Sequence, residues 1–285
     1  MIIKYDIFCQ RKEGDKMIGT STFAYMGIII AFGIIMPFAV AIWWVKTRNE
    51  KFTTVLVGAA TWFLFAIVLE TIPKAVLFNP ATSIGKTVIG NTFLYVFFGT
   101  LLAGVFEEVG RYVAFKTVLK KRTNRETGVS HGIGHGGFEA MFILVSVGIQ
   151  NLTYATMING GTFGVLTNQG GLSEADIATL NAIPEQLASW SFGMTLIWLI
   201  ERIFAVLLHI GMSTLAFNAV KQKKISLLFL AILLHMVFDT APALYQKGIL
   251  NLYVTETIIA IITIVFFWAI YKAFYVKDTG KDNSQ

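Results

Sequence analysis

Seven stretches of the chain are apolar for about 20 residues or more: Phe23 to Val45, Thr53 to Ile72, Val88 to Leu119, Phe138 to Ile158, Trp190 to Val220, Ile225 to Tyr245 and Leu252 to Phe274. A helix of ~20 residues crosses the ~30 Å of bilayer hydrocarbon. Lipid offers the backbone no hydrogen-bonding partner, so each stretch must satisfy its own N–H and C=O groups, which a helix does. The expectation is an all-α, polytopic membrane bundle of about seven transmembrane helices, forming a single domain over residues 17–285. With 55% hydrophobic and 14% charged residues, the composition excludes an ordinary soluble domain. The third and fifth stretches exceed a membrane's thickness and are expected to continue as helix beyond it.

Lys and Arg in the short loops set the orientation. Lys46, Arg48 and Lys51 follow the first stretch, five basic residues from Lys116 to Arg125 follow the third, Lys221, Lys223 and Lys224 follow the fifth, and Lys272, Lys277 and Lys281 close the chain. The opposite loops hold Lys74, Lys86 and Lys247, and the connection from Asn159 to Ser189 has no basic residue. This places the amino terminus outside and the carboxyl terminus in the cytoplasm of a multi-pass cell-membrane protein. It also accounts for the net charge of +6 without nucleic-acid binding. Lys4, Arg11, Lys12 and Lys16 contradict the scheme and a start at Met17 would remove them, so residues 1–16 are expected to be disordered or an upstream mis-assigned start. The first apolar run is too long for a cleavable signal. The single cysteine, Cys9, lies in that segment, which leaves disulfides, thiol catalysis and cysteine metal ligation without support. Between the spans, Thr123 to Gly137 reads as a Gly- and His-containing loop, and Gly160 to Ser189 as a loop carrying a short amphipathic helix capped by Ser173.

Charged residues inside the spans are the functional signal, because each ionised group at the bilayer centre costs roughly 3 kcal/mol or more. In Ala103-Gly104-Val105-Phe106-Glu107-Glu108-Val109-Gly110-Arg111, Glu107 and Arg111 stand one helical turn apart with Glu108 about 100° round. A packing salt bridge would explain one acid with Arg111 and leave the other unexplained. Gly132-Ile133-Gly134-His135-Gly136-Gly137-Phe138-Glu139 opens the fourth span, with His135 and Glu139 one turn apart and glycines that permit close helix approach. The fifth span carries Glu201, Arg202 and His209, the sixth His235 and Asp239 one turn apart, while His131 reads as plain loop. Counted inward at ~1.5 Å per residue, Glu107, Glu139, His209 and His235 reach similar depths and are expected to converge. Glu70, Gln150, Asn151 and Glu256 are taken as packing or hydrogen-bonding groups.

Two carboxylates, an arginine and histidines supply a general base, a cation and proton donors for hydrolysis without a serine nucleophile. A His-Glu-x-x-His zinc motif and a Gly-x-Gly-Asp motif are both absent, and Gly211-Met212-Ser213-Thr214 lacks the final glycine of a rhomboid-type elbow. The ordered set Glu107-Glu108-Val109-Gly110-Arg111, Phe138-Glu139, His209 and His235-Met236-Val237-Phe238-Asp239 resembles the PrsW-like and CAAX-processing or bacteriocin-processing intramembrane proteases. The Gly-His-Gly-Gly-Phe-Glu-Ala run is similar to the YhfC branch of that superfamily. The resemblance covers roughly residues 88–245. It implies a helical bundle with a conical intramembrane cavity, a glutamate-activated water at Glu107, Glu108 and Arg111 beside it, and His235 with Asp239 supporting the oxyanion. Glu139 and His209 complete the catalytic set. Two positions depart from the pattern: Phe142 stands where PrsW-like proteins carry a further acid, and Ala205 where prenyl proteases carry Phe.

The implied activity is an intramembrane endopeptidase acting on a membrane-protein or lipidated-peptide substrate, with membrane lipids as partners and no cofactor. The alternatives are a metal-dependent hydrolase, with zinc held by His135, Glu139, His209 and His235, and a small-solute or ion transporter using the same buried charges. Zinc is disfavoured because no histidine pair is seen on one helix turn.

Overall fold

The computed structural model describes residues 17–276 apart from 169 and 173. Expectations for residues 1–16, Cys9, the Ser173 cap, Lys277 and Lys281 lie outside the described residues.

The described chain is helical throughout: α1 (Thr20–Arg48), α2 (Phe52–Trp62), a π-helical turn Phe63–Leu69, α3 (Thr71–Leu77), α4 (Ser83–Gly90), α5 (Thr92–Lys116), α6 (Glu126–Asn159), α7 (Gly164–Thr167), α8 (Glu174–Ala188), α9 (Phe192–Lys221), α10 (Ile225–Gln246) and α11 (Leu252–Tyr271), which runs on into a second π-helical turn Lys272–Val276. Among the described residues seven helical stretches are long and apolar enough to span a membrane, α2 and α3 forming one of them through the π turn. Large apolar side chains such as Ile35, Leu56, Ile72, Phe93, Phe229 and Ile261 are exposed on the outer faces of these helices. In water they would be a liability, whereas in hydrocarbon they are already in their own solvent.

Two expectations needed correction. The stretch Val88 to Leu119 is two helices rather than one, because the chain turns at Asn91 into extended geometry and Asn91 Oδ1 accepts from Leu94 N at 3.1 Å, capping α5. The second correction matters more. Thr123 to Gly137 is not a loop, since α6 starts at Glu126 and runs straight through the glycines.

The chain divides into two compact units. One comprises the described residues up to Ile34 together with Phe142–Leu199. Here Met26, Ile29 and Leu144 pack with Trp190 and Trp198, and Asn159 bonds both backbone groups of Ile18, at 2.8 and 3.0 Å. The other comprises Ile35–Met141 and Ile200–Gln285, with α5 against α10 as its main seam. Every acid, histidine and arginine singled out for chemistry above lies in this second unit.

Candidate active site

Within that unit Glu107, Glu108 and Arg111 come from α5, His135 and Glu139 from α6, His209 from α9, and His235 and Asp239 from α10. Glu107 stands nine residues before the end of α5, Glu139 thirteen after the start of α6, His209 twelve before the end of α9 and His235 ten after the start of α10. At ~1.5 Å per residue all four lie roughly 14–20 Å from the helix ends that carry the basic loops. The common depth expected from counting residues is therefore present.

Arg111 is fully buried at the middle of the cluster. Its guanidinium pairs with Glu108 Oε1, donates to Glu107 Oε2 at 3.1 Å and donates to His209 Nδ1 at 2.6 Å. One arginine thus answers both acids, more than a packing salt bridge with a single acid would do. Glu107 Oε2 also meets His135 Nε2 at 2.9 Å, and Glu107 Oε1 lies 3.9 Å from His235 Nε2. His235 is held on its other side by Glu108 Oε1, 2.8 Å from Nδ1, while its Nε2 faces Asp239 Oδ2 at 3.4 Å. The His-x-x-x-Asp pairing read from spacing is realised. Asp239, the most open of these side chains, marks the accessible edge of the cluster.

Close backbone contact brings the histidines together. A Cβ on Gly134 would lie 1.9 Å from Val55 O and one on Gly58 2.1 Å from His131 O, so α2 and α6 touch backbone to backbone. Cβ atoms on Gly132 and Gly136 would meet Ile210 Cα at 2.4 Å and His209 Cβ at 2.7 Å, so the same run presses α6 onto α9. In lipid, small residues are how helices gain contact, since burial of apolar surface provides no drive there. The glycines that suggested a loop are the packing surface that seats His135 against His209, whose rings lie 5.2 Å apart.

Glu107, His135, Glu139 and His209 each offer one ligand atom, and these atoms all lie within 4.8 Å of one another. Ligand atoms of a tetrahedral zinc, at ~2.0–2.1 Å from the metal, stand ~3.3 Å apart, so small side-chain adjustments would close this set. Two further observations fit an ion. Glu139 Oε2 and His135 Nδ1 are buried without a hydrogen-bond partner, although Glu139 Oε2 sits only 2.6 Å from His209 Nε2. The set differs from the one expected, with Glu107 joining it and His235 standing outside.

Three features escaped the sequence reading. His131 and His135 are a histidine pair one turn apart on α6, hidden because the segment read as a loop; His131 is spent on Ser213 Oγ at 3.1 Å and Thr61 Oγ1 at 3.4 Å and stacks by Phe115. Arg202 grips Glu201 and places Nη1 3.6 Å from Glu139 Oε1, which ties the Glu201–Arg202 pair to the site. Glu70, taken as a packing or hydrogen-bonding group, is buried and paired with Lys74 at 2.5 Å. The Glu-x-x-x-Lys spacing was visible in the sequence.

Comparison with known proteins agrees with this geometry. The model of the YhfC intramembrane metalloprotease family matches residues 32–262. An "Uncharacterized membrane protein YhfC" of Bacillus subtilis (strain 168) is 31% identical over 258 residues, covering 90% of this chain and 98% of the relative. No solved structure matches. The chain belongs to the YhfC intramembrane metalloprotease family.

Proposed function

We propose that this member of the family is a metal-dependent intramembrane endopeptidase, its metal held by Glu107, His135, Glu139 and His209. The observation that carries the reading is the convergence of these four donors, two of them with buried atoms that have no hydrogen-bond partner. Zinc suits the nitrogen and oxygen donor set, and when bound such an ion polarises a peptide carbonyl and lowers the pKa of a coordinated water.

The chain's own side chains prepare the rest. Arg111 fixes the carboxylates of Glu107 and Glu108 against each other and balances their charge in a medium where an unpaired carboxylate would be costly. Glu108 and Asp239 hold the His235 ring from both sides, so its Nε2 is oriented beside Glu107 as a donor to a developing oxyanion. Arg202, locked by Glu201, points at one oxygen of Glu139 and turns the other toward the donor centre. A site of this depth suits a substrate that is itself embedded in or anchored to the membrane, and the basic loops put its nearer end on the cytoplasmic side.

A second reading has its own observation. The Arg111 guanidinium already donates to Glu107 and to His209 Nδ1, so a cation occupies the charge-balancing place without any metal. Glu107 would then activate water alone, with His135 as its partner. Elemental analysis of protein purified without added metal separates the two. The metal reading expects about one zinc per chain, lost in Glu139→Gln and His135→Gln, and cleavage of a transmembrane-peptide library that a chelator abolishes and zinc restores. Metal-free protein that cleaves the library in the presence of chelator would establish the glutamate reading.

A further inference from the structure

A cleft of about 380 Å³ lies at the basic-loop end of the second unit, between α1, α6, α9 and the end of α11. Its walls are apolar, with Trp44, Ile133, Leu207, Ile210 and Phe267 among them, and Arg48 stands at its edge. The volume falls within the ~300–1,000 Å³ of small-molecule sites. Trp43 and Tyr271, also lining it, are exposed, as aromatic residues at the headgroup level of a membrane are.

The cleft is preformed. Glu50 is buried, accepts from Asn124 Nδ2, and accepts from Ser130 Oγ at 3.1 Å; Ser130 Oγ in turn accepts from Trp44 Nε1 at 3.0 Å. The Trp44 ring is therefore fixed, and Arg48 lies over its face at 5.3 Å. Glu50, two residues from Arg48, is committed inward to these bonds, and no acid lines the cleft, so the guanidinium charge at its edge is not neutralised there. An apolar slot with an uncompensated cation at the interface complements a molecule made of a hydrocarbon chain and an anionic head.

We propose that this cleft is a binding site for one acyl chain of an anionic phospholipid, with the headgroup phosphate on Arg48. The chain would rest on Ile133 and Ile210, two residues from His135 and one from His209, and so brace the α6–α9 contact from the side away from the site. The proposal does not depend on the metal or on the activity.

The test uses the full chain in neutral detergent with palmitoyl-oleoyl phosphatidylglycerol or phosphatidylcholine, read by native mass spectrometry and by quenching of tryptophan fluorescence with chain-brominated versions of both lipids. The parent is expected to retain phosphatidylglycerol about fivefold better, which corresponds to the ~1 kcal/mol of one basic residue against an anionic headgroup. Arg48→Gln, an exposed change, should remove that preference while saturable quenching by both lipids persists. Leu207→Trp should fill the slot and weaken retention of both. Equal retention of the two lipids by the parent, or an undiminished preference in Arg48→Gln, overturns the proposal. Quenching by the brominated lipids that does not saturate in the parent does so as well, and it needs no variant to fold.

Discussion

Replacing Gly134 by alanine sets two effects of opposite sign against each other. In a helix interior alanine is favoured over glycine by about 1 kcal/mol, so propensity alone predicts a stabilised protein. Packing predicts the reverse, because the new Cβ would lie 1.9 Å from Val55 O, more than 1 Å inside the 3.0 Å that real contacts keep, and the clashing atom belongs to backbone that cannot swing aside. Overpacking of this kind costs typically 1–3 kcal/mol and here reaches or exceeds the upper end, leaving a net loss of about 2 kcal/mol. At ~2–4 °C per kcal/mol for a chain of this size the melting temperature in detergent should fall by about 4–8 °C. Gly27→Ala is the matched control, since its Cβ meets nothing within 4 Å on the exposed face of α1 and should be neutral or slightly stabilising. Separating α2 from α6 also moves His135, so Gly134→Ala should lose metal affinity in the protein that remains folded, and Gly27→Ala should not. Gly134→Ala that melts at or above Gly27→Ala would show that the glycine run is not a packing surface.

Other consequences can be checked alongside. Glu107→Gln should abolish cleavage and melt at about the temperature of the chelator-treated parent rather than lower, because the amide keeps the contact to Arg111 but can neither accept a proton nor ligate as a carboxylate. Arg111→Met should cost about 3–5 kcal/mol by stranding two buried carboxylates, and adding Glu108→Gln should recover part of that loss, measured as a double-mutant cycle of unfolding; additive losses would mean the charges are not coupled. Removing metal with a chelator should lower the melting temperature of the parent and leave that of Glu139→Gln unchanged, since a ligand bound only by the folded state stabilises it. His131→Gln should keep stoichiometric zinc where His135→Gln loses it, because His131 is engaged by Ser213 and Thr61.

What the sequence revealed and what it hid divide along physical lines. Span number and depth depend on hydrocarbon thickness and on a fixed rise per residue, so seven helices and the similar level of Glu107, Glu139, His209 and His235 could be read by counting. Pairings within one helix, such as Glu107 with Arg111 and His235 with Asp239, follow from the 3.6-residue turn. Interhelical partners follow no such rule. That Glu108 bonds His235, or that Arg202 turns toward Glu139 rather than only Glu201, depends on rotations about helix axes that packing decides.

One premise used against zinc, that no histidine pair stands on one helix turn, does not hold, and the cause is traceable to the glycine run. Glycine breaks helices in water because it loses the most backbone freedom on ordering and gives nothing back; in lipid that loss is offset where the missing Cβ lets two backbones meet. Gly132, Gly134 and Gly136 alternate, so their bare positions turn successively toward α9, α2 and α9 again, and the residues between them are carried into the interior. Read as a loop, the run made His131 and His135 unrelated. As helix, it makes His131, His135 and Glu139 a single stripe, one turn apart each, of which the outermost member is bonded to the scaffold and the inner two face Glu107 and His209. A helical glycine run flanking regularly spaced histidines and acids inside an apolar span is thus evidence for a close-packed donor site rather than for a flexible connection.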